Sequence, residues 1–179
     1  MNPYMHTYTG KKINPLAFTK DDIDIKDIAH ALSLLCRGGG HLKMFYSVAQ
    51  HSLNCAQEAF LRYQDSRLSL ACLLHDASEA YISDIIRPLK QHLKLYEDIE
   101  SQWMKVIYEK YELSELKDED LLKIKRIDDD MLAYELYTLM EHQPKPSCLL
   151  KSQPCFAERY HHDVEKEFLE LFERLSNIK

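Results

Sequence analysis

Apolar residues recur at spacings of three and four along most of the chain, the pattern of helices that bury one face. Ile25, Ile28, Ala29, Leu32, Leu35 and Cys36 share a stripe and predict a helix over Asp24 to Cys36. That helix stops against Arg37-Gly38-Gly39-Gly40, which holds three of the chain's four glycines. Ser47-Val48-Ala49-Gln50 fits a capping box opening a helix to about Tyr63. Ser66 can cap the next, from Arg67 to about Ile82, whose Leu70 to Leu74 run is apolar all round and marks a central element. Pro88 interrupts the segment after it. Further helices are expected over Lys94 to Tyr111, Asp118 to Glu141 and, beyond a loop with Pro144, Pro146 and Pro154, Glu158 to Ser176. No strand alternation persists beyond a few residues. The prediction is an all-α fold, one domain over 1–179 built as a bundle of about six helices. Residues 1–20 form an irregular N-terminal arm with room for a short extended pair, 142–157 a proline-containing loop and 158–176 the C-terminal helix.

Composition narrows the partners. A hydrophobic fraction of 45% argues against disorder. The formal charge of −6 provides no global basic field, so no nucleic-acid polymer is expected. Charge-free stretches such as Leu68 to Leu74 fall far short of the ~20 apolar residues of a membrane span, so no membrane association is expected either. The opening Met1 to His6 has neither the charged nor the apolar region of a secretory leader. Five cysteines (Cys36, Cys55, Cys72, Cys148, Cys155) show no C-x-x-C pair and read as reduced, mostly buried thiols of a cytoplasmic protein.

Four polar residues stand where apolar ones belong. His51 shares a helix face with Val48, Cys55 and Ala59 and therefore points inward. His75 and Asp76 follow the apolar run, and a buried carboxylate costs several kcal/mol unless a cation or good donors compensate it. In Asp128-Asp129-Asp130, periodicity sets Asp128 with Ile124, Met131 and Leu132, whereas Asp129 and Asp130 read as a charged outer face. Taken together, two neutral imidazoles and two carboxylates, with no cysteine among them, suit one divalent ion of the Mn, Co, Ni, Fe, Zn or Mg group.

His51, His75-Asp76 and Asp128 resemble the H…HD…D signature of the HD-domain metal-dependent phosphohydrolases. Phe45 to Ser52, Leu74 to Ala80 and Ile124 to Asp128 are similar to the stretches around those ligands in the bacterial and phage 5′-deoxynucleotidase-like branch. Thr7 to Gly10 and Asp27 to Ser33 add to the likeness, which spans roughly residues 7–142. The resemblance implies an all-α HD domain that hydrolyses the 5′-phosphate of a small-molecule nucleotide, a (deoxy)nucleoside monophosphate. It assigns the metal to His51, His75, Asp76 and Asp128, support of the attacking water to Glu79, and handling of the leaving oxygen to Asp84. Glu79 follows Asp76 by one helical turn and so can face the same cavity; the plainer reading is a surface carboxylate, and for Asp84 a helix N-cap.

Arg37 matches a phosphate-binding arginine of that branch. Glycines after it let backbone approach an anion, although a helix end with a flexible connector explains the same residues. His41, Lys43, Arg87 and Lys90 could extend a local positive rim for phosphate. Two departures are informative. Gly38 stands where the branch has a tryptophan beside its arginine, and Ser78-Glu79-Ala80 replaces the Glu-Asp of alarmone hydrolases. Alternatives are a catalytically silent, metal-stabilised module binding nucleotide or partner, and hydrolysis of another phosphorylated nucleotide such as an alarmone. By analogy with relatives, the last helix would close the core or pair two subunits as a homodimer.

Overall fold

A computed structural model describes residues 3–177; Met1 and Asn2, part of the segment read for a leader, and Ile178 and Lys179, the last of the predicted domain, lie outside the described residues. Six helices of nine residues or more carry the fold: α1 Ile25–Leu34, α2 Val48–Tyr63, α3 Ser66–Leu74, α6 Lys94–Lys110, α7 Asp118–Leu139 and α8 His161–Ser176. Two single-turn segments, α4 Glu79–Ile82 and α5 Arg87–Lys90, lie between α3 and α6. The all-α expectation holds, and so does the extended pair in the arm. Met5–His6 pairs antiparallel with Lys12–Ile13, Met5 opposite Ile13.

The predicted Arg67–Ile82 helix is two elements. Asp65, not Ser66, caps α3, its carboxylate accepting from the amides of Arg67 and Leu68. The helix ends at Leu74, and residues 75–78 form tight turns, with Ala77 N donating to Leu74 O and Glu79 N to Asp76 O. The break turns His75 and Asp76 out of the apolar run at the end of a helix whose residues Leu68 to Leu74 are all buried.

α3 lies at the centre, packed against α2, α7 and α8, and α8 also covers α1. Val164, Phe168 and Leu175 of α8 are buried in that core, so this helix closes it. Trp103 of α6 is sandwiched between Phe18 and Tyr81, ring centroids 3.6 and 4.2 Å away, and its Nε1 donates to Pro15 O at 3.1 Å. This stack holds the N-terminal arm to α6 and α4.

Helix α2 carries a buried polar ladder at spacings of four. Gln50 donates to Ala157 O, and Asn54 exchanges hydrogen bonds with the Cys155 backbone. Glu58 accepts from the amides of Lys151 and Ser152. Arg62 reaches Glu58 and Asp130, so Asp130 is a bridging residue and not the outer-face charge its position predicts. The proline-containing loop is thus tied along α2 by polar side chains. Of the five cysteines only Cys55 and Cys72 are buried, fewer than expected; all are free thiols.

Candidate metal centre

Each predicted ligand is placed by a local reason. Ser47 opens α2 through its capping box with Gln50, which fixes the phase that turns His51 into the core beside Val48 and Cys55. The α3 break delivers His75 and Asp76. On α7, Ile124, Ile127, Met131 and Glu135 are buried, and Asp128 shares that face with its side chain 19% exposed. The α1–α2 connection is pinned by Arg37 N donating to Tyr46 O and Val48 N to Leu35 O. Within it, Gly38 (φ 62°) and Gly39 (φ 61°) take the left-handed region that favours glycine. Arg37 thus sits in its own turn, beyond the end of α1.

The four side chains converge. His51 Nε2 lies 3.2 Å from His75 Nε2, 3.2 Å from Asp128 Oδ1 and 3.6 Å from Asp76 Oδ2. His75 Nε2 lies 3.3 Å from the same Asp76 oxygen and 3.8 Å from Asp128 Oδ1. His51 is fully buried, whereas Asp76 and Asp128 each keep 19% of the side chain accessible, so the cluster opens on its carboxylate side.

Outer partners fix both tautomers. His51 Nδ1 lies 2.6 Å from Glu135 Oε1, and His75 Nδ1 lies 2.7 Å from the Cys72 carbonyl. A carbonyl can only accept, and so can an ionised carboxylate, so both Nδ1 atoms carry a proton and both Nε2 atoms face the cluster. Burial works against charge on Glu135, but His51 and Arg37 outweigh it and hold its pKa below the ordinary glutamate value. Burial would likewise raise Asp128 and Asp76. Hydrogen bonds from His51 and His75 instead hold Asp128 far below the carboxylate range, and His75, His51 and Arg37 lower Asp76.

Cys55 joins this group, a residue the sequence reading left out. The ligand atoms of His51, Cys55 and His75 lie within 4.8 Å of one another and could hold a metal ion. Its Sγ is 3.5 Å from His51 Nε2 and 3.9 Å from Nδ1. Such similar distances put the sulfur against the imidazole ring, not out along the Nε2 lone pair, and burial pushes the thiol's pKa up to about 11. Cys55 therefore contacts a ligand side chain more than it offers a donor.

Around the cluster stand the other predicted residues. Glu79 is buried, not a surface carboxylate, and its Oε2 has no hydrogen-bond partner among the described residues. Burial, reinforced by Asp76 and Asp84, pushes its pKa well above the glutamate range. Asp84 lies in the segment between α4 and α5; Ile86 is the N-cap of α5, so Asp84 does not cap it. Burial raises Asp84 too, against the pull of Arg37. Arg37, expected to meet phosphate, donates from NH1 to Asp76 Oδ2 at 3.2 Å and sets Nε 3.2 Å from Glu135 Oε2. Arg87 ion-pairs with Asp128 and Asp129, and Lys90 with Glu100. Asp129 also pairs with Lys125, as its outer position predicts. His41 is exposed.

No protein-family model matches the chain. It is 44% identical over 110 residues to Uncharacterized protein YfdR of Escherichia coli strain K12, a match covering 62% of this chain and 59% of that protein. It is 41% identical over 87 residues to Uncharacterized protein RCAP_rcc00048 of Rhodobacter capsulatus, covering 46% of this chain and 44% of that protein. The matches thus span about half the length of these relatives. No helix among the described residues is long and apolar enough to cross a membrane.

Sequence reasoning missed Glu135 and Tyr46. Glu135 had a signal: it continues the Ile124, Ile127, Met131 stripe at a spacing of four, an acid on an apolar face like Asp128. Tyr46, whose hydroxyl donates to Glu135 Oε1 at 3.0 Å, had none, since it precedes the helix.

Proposed function

We propose that the protein is an HD-domain, metal-dependent phosphohydrolase that removes the 5′-phosphate of (deoxy)nucleoside monophosphates in the cytoplasm. One observation carries this reading: two imidazole Nε2 atoms 3.2 Å apart, ringed by two ionised carboxylates. Lone pairs so placed repel unless a cation or a proton sits between them. For bonds of about 2.1 Å, neighbouring donors lie about 3.0 Å apart in an octahedron and about 3.4 Å in a tetrahedron, close to the separations here. Asp76, Asp128 and Glu135 outnumber Arg37 and Arg87 around the two histidines, a net negative charge that a cation would offset. We assign the ligands as His51, His75, Asp76 and Asp128, a mixed N/O set that suits Mn, Co, Ni, Fe, Zn or Mg.

A dication held there would polarise a phosphoryl oxygen and make water acidic enough to attack at neutral pH. The chain's own groups divide the remaining work. Glu79, once a bound dication offsets the burial that raises its carboxyl and leaves it ionised, can take the proton of the attacking water. Asp84, raised in the same way, can return a proton to the departing 5′-oxygen. Arg37 stays charged, because Glu135 and Asp76 overcome its burial, and its NH2 takes part in neither ion pair and can face an equatorial oxygen.

The test is phosphate release from a panel of ribo- and deoxyribonucleoside monophosphates with Mn, Co, Zn or Mg. Activity is expected with at least one cation and should fall by 10²-fold or more in Asp76→Ala. Absence of release with every cation, or undiminished release by Asp76→Ala, would overturn the proposal.

A further inference from the structure

We infer that Glu135 is the positioning residue of this centre, one carboxylate that orients His51 with its first oxygen and Arg37 with its second. This rests on the reading of the cluster as a cation site. Glu135 follows Asp128 by two turns of α7, so one helix face supplies both a ligand and the clamp for a ligand from α2. Its side chain is 4% exposed. Oε1 lies 2.6 Å from His51 Nδ1 and accepts from the Tyr46 hydroxyl at 3.0 Å, and Oε2 lies 3.2 Å from Arg37 Nε. Arg37 NH1 reaches Asp76 Oδ2 at 3.2 Å, and that oxygen is 3.6 Å from His51 Nε2. The path runs from His51 through Glu135 and Arg37 to Asp76 and back to His51.

The arrangement has two consequences. First, Glu135 decides the His51 tautomer. The other group near Nδ1 is the Cys55 sulfur at 3.9 Å, too weak a partner to hold the ring. A carboxylate there keeps the proton on Nδ1 and makes Nε2 a stronger donor. Second, the same charge holds Arg37 beside Asp76. Asn54 Nδ2 donates to the Tyr46 hydroxyl at 2.9 Å, so the clamp is itself held from behind. Replacement by glutamine keeps an oxygen for His51 but turns an amide donor toward Arg37, separating the charge from the shape.

Mn²⁺ and Co²⁺ affinities of the full chain, measured by competition with a chelating dye, test this. E135Q should bind each cation about tenfold more weakly than wild type and E135A about 100-fold. Should E135A fail to fold, the near-isosteric E135Q and ring-nitrogen NMR of the Zn²⁺-loaded wild type still decide, since His51 should carry its proton on Nδ1. Wild-type affinity in E135Q, or a proton on Nε2, overturns the inference. A wild type that binds neither cation overturns the cation-site reading itself, a failure visible before any variant is made.

Discussion

Burial and the nearby guanidinium of Arg37 work against a second proton on His51, yet Cys55, Glu135 and Asp128 outweigh them and hold its pKa well above the ordinary histidine value. The site that would hold a dication therefore holds a proton without one, and the two compete for one lone pair. That competition fixes the sign of the pH dependence. A raised pKa means that the cation-free protein loses this proton only as pH climbs through that value, so cation affinity rises with pH up to it. Titration of Mn²⁺ into the protein in buffers of different ionisation enthalpy should show about one proton released per cation. Affinity should fall about tenfold for each pH unit below the His51 pKa. Binding without proton release and with flat affinity between about pH 6 and 8 would show that His51 is not a ligand.

Among the helices, α2 does two jobs with two faces: His51 and Cys55 serve the centre, and Gln50, Asn54, Glu58 and Arg62 tie down the loop. Glu58 accepts the most hydrogen bonds from that loop. Burial alone would raise its pKa, but Ser152, the Lys151 amide and Arg62 pull it below the ordinary value. A depressed carboxyl stabilises the fold above its unfolded pKa, and the contribution is lost as pH falls through the folded value. Protection of the Lys151 and Ser152 amides, taken relative to their intrinsic exchange, should thus be high at neutral pH and fall once the solution is more acidic than the ordinary glutamate pKa. Glu58→Gln should lower it at neutral pH, and protection equal to wild type there would mean the backbone alone holds the loop. Helix positions were legible because the periodicity of α1, α2, α6, α7 and α8 is strong. The end of α3 was not, since Leu74-His75-Asp76-Ala77-Ser78-Glu79 contains neither glycine nor proline to mark a break. Asp128 could be read from helical phase, as could Glu135. The pairing of Arg37 with Glu135 and Asp76 could not, because it depends on how α7 and the α1–α2 connection meet.

Viewed as one molecule, the centre joins elements that are distant along the chain: α2, the turn after α3, and α7. A cation bound there in the folded state alone acts as a staple across the bundle, stabilising it by about 2.7 kcal/mol at a concentration 100 times Kd. In a domain of this size each kcal/mol moves Tm by roughly 2–4 °C, so saturation should raise the melting temperature by about 5–10 °C. EDTA should reverse the rise. In Asp128→Asn most of it should vanish, because the side chain that brings α7 to the ion loses its charge. The cation-free protein should still fold, since α1, α2, α3 and α8 pack through a core of buried apolar residues that needs no ion. Differential scanning calorimetry of the three samples, wild type with cation, wild type with EDTA and Asp128→Asn with cation, makes the comparison. A melting temperature indifferent to Mn, Co and Zn would mean that the four side chains hold no ion in common, and the phosphohydrolase reading would fall with them.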